Sequence, residues 1–308
     1  MKEVIYMNTI QELPIQNQQD FWSMLYMHLG KSIMEICGRR GEGAIRHGLH
    51  KMAEDDGRRF REECIKQGAK TNLRSLYAMG CACSCDPRVR TKTLCDEEQV
   101  HLWETYTCPL ANLWLDNDQA FLGNLYCEEN QHGIMMTYTG GAGQFHTTKK
   151  ILCHRTNGCR PDNYCRFAAY YRPANVDKEQ RTEAFSDGSV NDEALPKPFM
   201  SVQEELTAKC IRTVKYLTDA AEEHFGSEGL CAIALGLRAL VEPTAAMMRH
   251  YADATLSKDI EEFAAQNLPV SLDTAKDDLW TVYGDERSRE LFLANFSVRL
   301  KRALSLEA

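Results

Sequence analysis

Cysteine is the residue type on which chemistry in this chain would turn. Nine of its thirteen cysteines (Cys81, Cys83, Cys85, Cys95, Cys108, Cys127, Cys153, Cys159 and Cys165) fall within one stretch of the 308 residues. A thiolate is both a nucleophile and a soft metal ligand, so a local excess of thiols points to covalent catalysis or metal binding in that segment. The best placed is Cys108. Val100, Leu102, Tyr106 and Cys108 alternate as in a half-buried strand, and Pro109 then stops the strand and suits the first turn of a helix carrying Leu110, Leu113, Trp114, Phe121 and Leu125, with Asp116-Asn117 as an interruption. A thiol at such a helix start faces the positive end of the helix dipole, which favours the thiolate as nucleophile or ligand.

The elements that must position these thiols are mixed. Ile134–Tyr138 reads as a strand, GGAG as a turn, Phe145–Cys153 as its hairpin partner, and RTNGCRPD as a second turn. Cys165, Phe167, Ala169 and Tyr171 then alternate along a closing strand with Tyr164, Arg166 and Tyr170 on its other face. An antiparallel sheet with helices packed on one face, an α+β fold, accounts for this order. Ahead of it, Phe21, Leu25, Leu29, Ile33 and Ile36 mark one amphipathic helix up to Cys37, and Ala44 to Lys66 a second with EDDGRR on its outer side and with His47 and His50 as neighbours that could bind metal or line a pocket but are expected to be solvated or capped. KTNLRSLYAMG reads as a short helix. GCACSCDPRVRTKTLC reads as a loop or hairpin whose C-x-C-x-C spacing lacks the paired C-x2-C pattern of structural zinc.

From Pro173 to Pro198 the chain turns polar and acidic and reads as a connection; everything beyond is helical in pattern, including runs over Leu272–Tyr283 and Asp285–Leu306. The expected organisation is an α+β domain over 1–175, a linker over 176–200 and an all-helical part over 201–308. That last part echoes the first: Gly41, Ala44, Ile45, Gly48 and Leu49 match Gly229, Ala232, Ile233, Gly236 and Leu237 at a constant offset. A true repeat would pack as a pseudo-symmetric partner of the N-terminal helices, with Pro243 kinking its second helix.

With 44% apolar residues the chain can build real cores, and Cys37, Cys64, Cys210 and Cys231, in helical patterns, read as small core residues. A net charge of −8 argues against nucleic acid or an anionic membrane as partner. No signal-peptide core stands in the first twenty residues and no apolar run approaches a membrane span, so a cytoplasmic protein with reduced thiols is expected. A small molecule is the expected partner, and a homo-oligomer is compatible with the sequence.

At TCPLANLW, LYCEEN and PDNYCRF, preceded by GRRGEGAIRHGLHKMAEDDGRRF, the chain resembles the L-2-amino-thiazoline-4-carboxylic acid hydrolase family over roughly residues 20 to 175. The family pattern maps onto Cys108-Pro109, Tyr126-Cys127-Glu128, and Asp162 with Cys165, with departures at Asn130, where an acidic residue is common, and Pro161, where glycine is usual. The resemblance implies a hydrolase that opens a small sulfur- and nitrogen-containing ring at its amidine-like carbon, without a cofactor. Such a step needs a nucleophile, an acid for the departing atom and donors for developing charge. Cys108 is the candidate nucleophile, Cys127 or Cys165 a second thiol, Glu128 or Asp162 a proton carrier, and His154 a general base. The alternative is a zinc- or ligand-binding, or sensory, module in which Cys108, Cys127 and Cys165, with His154, hold the metal.

Overall fold

A computed structural model describes residues 13–80, 85–152, 164–186, 195–255, 259–273 and 278–305. Two long helices open it, α1 (Leu13–Cys37) and α2 (Gly41–Lys66), joined by one 3-10 turn at Gly38–Arg40. Gly38 takes φ +62° there, a left-handed conformation that ends a helix at little cost only when the residue lacks a Cβ. Asn72 then caps α3 (Leu73–Ala78) by accepting the Ser75 N–H. The hairpin β1 (Arg90–Asp96) and β2 (Val100–Thr107) follows, then α4 (Pro109–Asp116), α5 (Ala120–Tyr138), β3 (Gly143–Lys149) and β4 (Cys165–Tyr171). The four strands form one antiparallel sheet in the order β1-β2-β4-β3.

The fold is α+β as the sequence predicts, but several local expectations are corrected. Ile134–Tyr138 is not a strand; it is the last turn and a half of α5, held there because Gly57 and Gly133 let α2 and α5 approach closely. The partner of β3 is therefore β4. On β2 the faces are reversed: His101, Trp103 and Thr105 lie opposite Ala169, Phe167 and Cys165, and His101 stacks on Tyr77 of α3 at 4.0 Å while Trp103 stacks on Phe167 at 5.0 Å. The Leu102–Tyr106 face bears the Glu104–Arg166 ion pair instead, and Tyr106 is exposed. Alternation fixes that a strand has two faces; which face is buried depends on where the helix lies.

The polar stretch after β4 carries α6 (Lys178–Ala184), capped by Asp177 and docked on the sheet end through buried Val176, Ala184 and Phe185. Beyond it come α7 (Val202–Phe225), opened by a Ser201–Glu204 capping box, α8 (Ser227–Ala239), α9 (Val241–Ala254), α10 (Ile260–Asn267), α11 (Leu279–Tyr283), α12 (Glu286–Phe292) and α13 (Val298–Ser305). A π-helical turn, Leu293–Ser297, separates the last two, so the terminal helix expected from the periodicity is one helix only with an inserted wide turn. Among the described residues of 272–283 only α11 is helical. The break between α8 and α9 falls at Leu240, three residues before Pro243, whose missing N–H leaves the Ala239 carbonyl without its helical partner. By length and composition Ser227–Asp253 could cross a membrane, contrary to the sequence expectation, but Ile233, Leu237, Leu240, Val241, Ala245 and Met248 lie in the core cluster shared with α1.

The repeat is real in space. Gly226, related to Gly38 by the same offset as the matched residues, turns the α7–α8 corner with φ +57°. A Cβ on Gly41 would lie 2.9 Å from the Ile33 carbonyl oxygen, and one on Gly229 would collide with the related carbonyl of Ala221. Across the pair, a Cβ on Gly48 would lie 2.7 Å from the Tyr216 carbonyl oxygen and one on Gly236 2.8 Å from that of His28, and His28 and Tyr216 are again related by that offset. Two helical hairpins therefore clasp each other with the reciprocity of a two-fold interface. α1 and α2 thus share one hydrophobic core cluster with α7, α8 and α9, while the sheet, α3 and α6 enclose a smaller one.

The clasp also corrects the reading of EDDGRR as an outer face. Arg212 of α7 is buried, and it pairs with Asp55 at 2.9 Å, with Asp56, and with the Met52 carbonyl oxygen at 2.8 Å. Cys37, Cys64 and Cys210 are buried as expected, but Cys231 is exposed on the outer side of α8.

Candidate functional site

Cys108 stands where the sequence places it, between β2 and α4. Its backbone is extended (φ −129°, ψ 109°), Pro109 occupies the first helical position, and the thiol is half-buried against the larger core cluster. The two helices that follow Cys108 both contact α1. Trp114 donates its indole N–H to the Ser23 carbonyl at 3.1 Å, while Leu122, next along the chain, accepts from the Tyr26 hydroxyl at 2.7 Å and lies against Gly30. Trp114 of α4 and Leu122 of α5 thus both bind the side of α1 that carries Ser23 and Tyr26. On the strand side, Thr107 pairs with Arg90, and Arg88 nearby bridges Asp86 to Asp20 at 2.6 and 2.7 Å and reaches the Gln16 carbonyl at 3.5 Å.

The middle of this corner is aromatic. Trp22, Tyr26, Trp114 and Tyr126 pack with ring centroids 5.0 to 6.2 Å apart. The Lys209 ammonium of α7 sits 3.6 Å from the Trp22 ring centre and 5.3 Å from that of Tyr126. Cys127, half-buried on α5, is close enough to Tyr26 for its thiolate charge to act on the phenol. Burial first, and then that charge, push the Tyr26 hydroxyl well above its ordinary range, so it stays a donor to the Leu122 carbonyl.

Cys165, the first residue of β4, is buried, and its sulfur accepts the Ile151 N–H at 3.2 Å. The adjoining Leu152 accepts from Asn124 of α5 at 3.3 Å and packs on Gly123, one turn before Cys127. Lys150, in the same turn, binds Glu128 at 2.5 Å, and Arg46 of α2 binds Glu128 at 3.0 Å and Glu129 at 2.8 Å. The turn at Lys150–Leu152 therefore ties Cys165 to the Cys127–Glu128 step of α5. Partial burial works to raise the Glu128 carboxyl, but Lys150 and Arg46 outweigh it and hold the group below the usual carboxylate range. Glu128 is thus an anion at neutral pH, suited to positioning Lys150 and Arg46 and unsuited to delivering a proton.

Asp162 and His154 lie outside the described residues, as do Cys81, Cys83, Cys153 and Cys159. Among the described residues no three His, Cys, Asp or Glu side chains are grouped so as to hold a metal ion. His47 and His50 stay half-exposed and also join helices: His47 Nδ1 lies 3.2 Å from His224 Nε2 of α7, and His50 Nδ1 lies 3.3 Å from Glu129 of α5. Sequence reasoning missed Trp22, Tyr26 and Lys209. A lysine on an amphipathic helix reads as a solvent-facing charge, and nothing local marks one that lies across an indole.

The arrangement predicts an order of thiol reactivity. Burial pushes the Cys210 and Cys64 thiols up, so both should resist iodoacetamide near neutral pH, whereas exposed Cys85 and Cys231 label first and half-buried Cys108 follows well ahead of the buried pair. Mass-spectrometric mapping of labelling with time reads the order directly. Cys108 labelling no faster than Cys210 would remove it as a nucleophile. Comparison with protein-family models, with curated proteins and with solved structures gives no match to this chain.

Proposed function

We propose that this protein is a thiol-dependent hydrolase that opens a small sulfur- and nitrogen-containing heterocycle or cyclic amidine, with Cys108 as nucleophile. What supports the reading is the position of that thiol, half-buried at a strand-to-helix junction against the core cluster that contains Trp22, Tyr26, Trp114 and Tyr126. The family resemblance over residues 20 to 175 supports the substrate class.

The chemistry is a two-step displacement. The Cys108 thiolate adds to the amidine-like carbon, and the tetrahedral adduct collapses by breaking one ring bond from that carbon to nitrogen or sulfur, the departing atom taking a proton. Water then adds to the thioester-like carbon and expels the Cys108 sulfur, so the net reaction consumes one water. The Lys209 ammonium, which lies over the Trp22 ring, would serve to stabilise charge developing on the adduct. Glu128, held ionised between Lys150 and Arg46, orders that side of the corner, and the proton donor is sought at Asp162 or His154.

Screening the purified protein against cyclic amidines and thiazolines tests the reading. Turnover by the unmodified protein and a loss on the order of 10^3-fold or more in Cys108→Ala are expected, with folding checked by circular dichroism. Full turnover by Cys108→Ala would move the chemistry to Cys127 or Cys165.

A further inference from the structure

His47 of α2 and His224 of α7 meet at the surface of the clasp and have no part in the chemistry proposed for Cys108. Their rings stand edge to face with centroids 5.4 Å apart, and His47 Nδ1 lies 3.2 Å from His224 Nε2. Both reach solvent: the His47 side chain is 30% exposed and His224 is exposed. The repeat shows that packing does not call for imidazoles here. The residues related to His224 and His47 by its offset are Ile36 and Leu235, at 38% and 39% exposure, so the other half of the clasp carries aliphatic side chains at both places. A hydrogen bond between two water-exposed rings, in competition with water, gains little.

The spacing of the two nitrogens suits a shared metal ion. Zinc binds imidazole at about 2.0–2.1 Å, so two imidazoles on one ion hold their nitrogens about 2.9–3.4 Å apart, from the octahedral to the tetrahedral angle. The observed 3.2 Å lies inside that interval. Each ring presents its unprotonated nitrogen to the ion and keeps its proton on the other, a change of tautomer without a change of charge. The Glu223 carboxylate, 3.8 Å from His47 Nδ1, adds negative charge. The cations of α2 beside His47 are engaged elsewhere, Arg46 by Glu42, Glu128 and Glu129, and Lys51 by Glu54. Helix packing already sets the two rings together, because Gly48, next to His47, lets α2 close on the Tyr216 carbonyl, two turns before His224.

We propose that His47 and His224 form a two-imidazole site for a divalent transition metal of the zinc type, bridging α2 and α7, with water in the remaining positions and Glu223 as the nearest anion. Two protein ligands suffice for such a site, and it is separate from any metal held by the cysteines. Imidazole selects zinc, copper and nickel over magnesium and calcium, which take oxygen ligands. Because the ion joins the two halves of the clasp, it binds the folded chain and stabilises it by mass action.

Metal titration of the full chain, stripped with chelator and kept reduced, tests the site. Zinc is followed by calorimetry and thermal shift, cobalt by its absorption spectrum, and magnesium serves as the oxygen-seeking control. One equivalent of zinc should bind and raise the melting temperature, and magnesium should do neither. Cobalt bound at this site should show no sulfur-to-metal charge-transfer band, which separates it from cobalt held by thiolates. His47→Leu and His224→Ile, which install the aliphatic residues of the related positions, should keep the metal-free melting temperature of the parent. Each should weaken this site by about tenfold or more and abolish the zinc-dependent rise. Should an aliphatic variant fail to fold, His47→Gln and His224→Gln carry the same comparison. Absence of saturable uptake, uptake unchanged in both variants, or cobalt bound only with the sulfur band would each overturn the proposal. A loss in only one of the two variants would reduce the site to a single surface histidine and overturn the bridge.

Discussion

Replacing Asp55 and Asp56 together by asparagine is expected to cost about 3–5 kcal/mol of folding stability. The Arg212 guanidinium they face is only 4% exposed, and its Nε has no partner, so its charge depends on these two carboxylates and on the Met52 carbonyl. Burial opposes the charged form, but the paired aspartates outweigh it and keep the guanidinium ionised. Remove both and a buried cation remains between α2 and α7 with one neutral acceptor. Urea denaturation of the double variant reads the loss, and adding Arg212→Met, which removes the stranded charge, should recover most of it. A double variant within about 1 kcal/mol of the parent would show Arg212 to be solvated after all.

The second large effect belongs to the clasp. Alanine at Gly48 or at Gly236 must push a helix away from a backbone carbonyl 2.7 or 2.8 Å from the new Cβ, and overpacking of this kind costs about 1–3 kcal/mol at each site. Because the two contacts are related by the repeat, the two costs should be similar. Because they share no partner, the double variant should show their sum. Gly43, on α2 with open space around its Cβ position, is the control: Gly43→Ala removes a flexible residue from a helix and should stabilise by about 0.5–1 kcal/mol. Strongly unequal costs at Gly48 and Gly236 would mean that the pseudo-symmetric packing is not shared by the two halves.

Around Cys108 the sequence was sufficient. Alternation up to Thr107 and a proline at 109 are short-range signals, and the strand, the junction thiol and α4 all follow from them. The repeat was legible for the same reason, since Gly41, Gly48 and their counterparts record close helix contacts in a fixed sequence spacing. Local pattern failed where a neighbour from elsewhere in the chain decides the outcome. Ile134–Tyr138 has strand composition, but the close fit of Gly57 and Gly133 holds it as helix against α2. Asp55 and Asp56 have the composition of a wetted surface, and only the arrival of α7 pairs them with Arg212. Residue type and spacing thus determined which backbone forms and where the thiol of the strand-to-helix junction stands. Tertiary structure alone decided which polar groups left water, because burial is a property of the surface that comes to cover a residue and not of the residue itself.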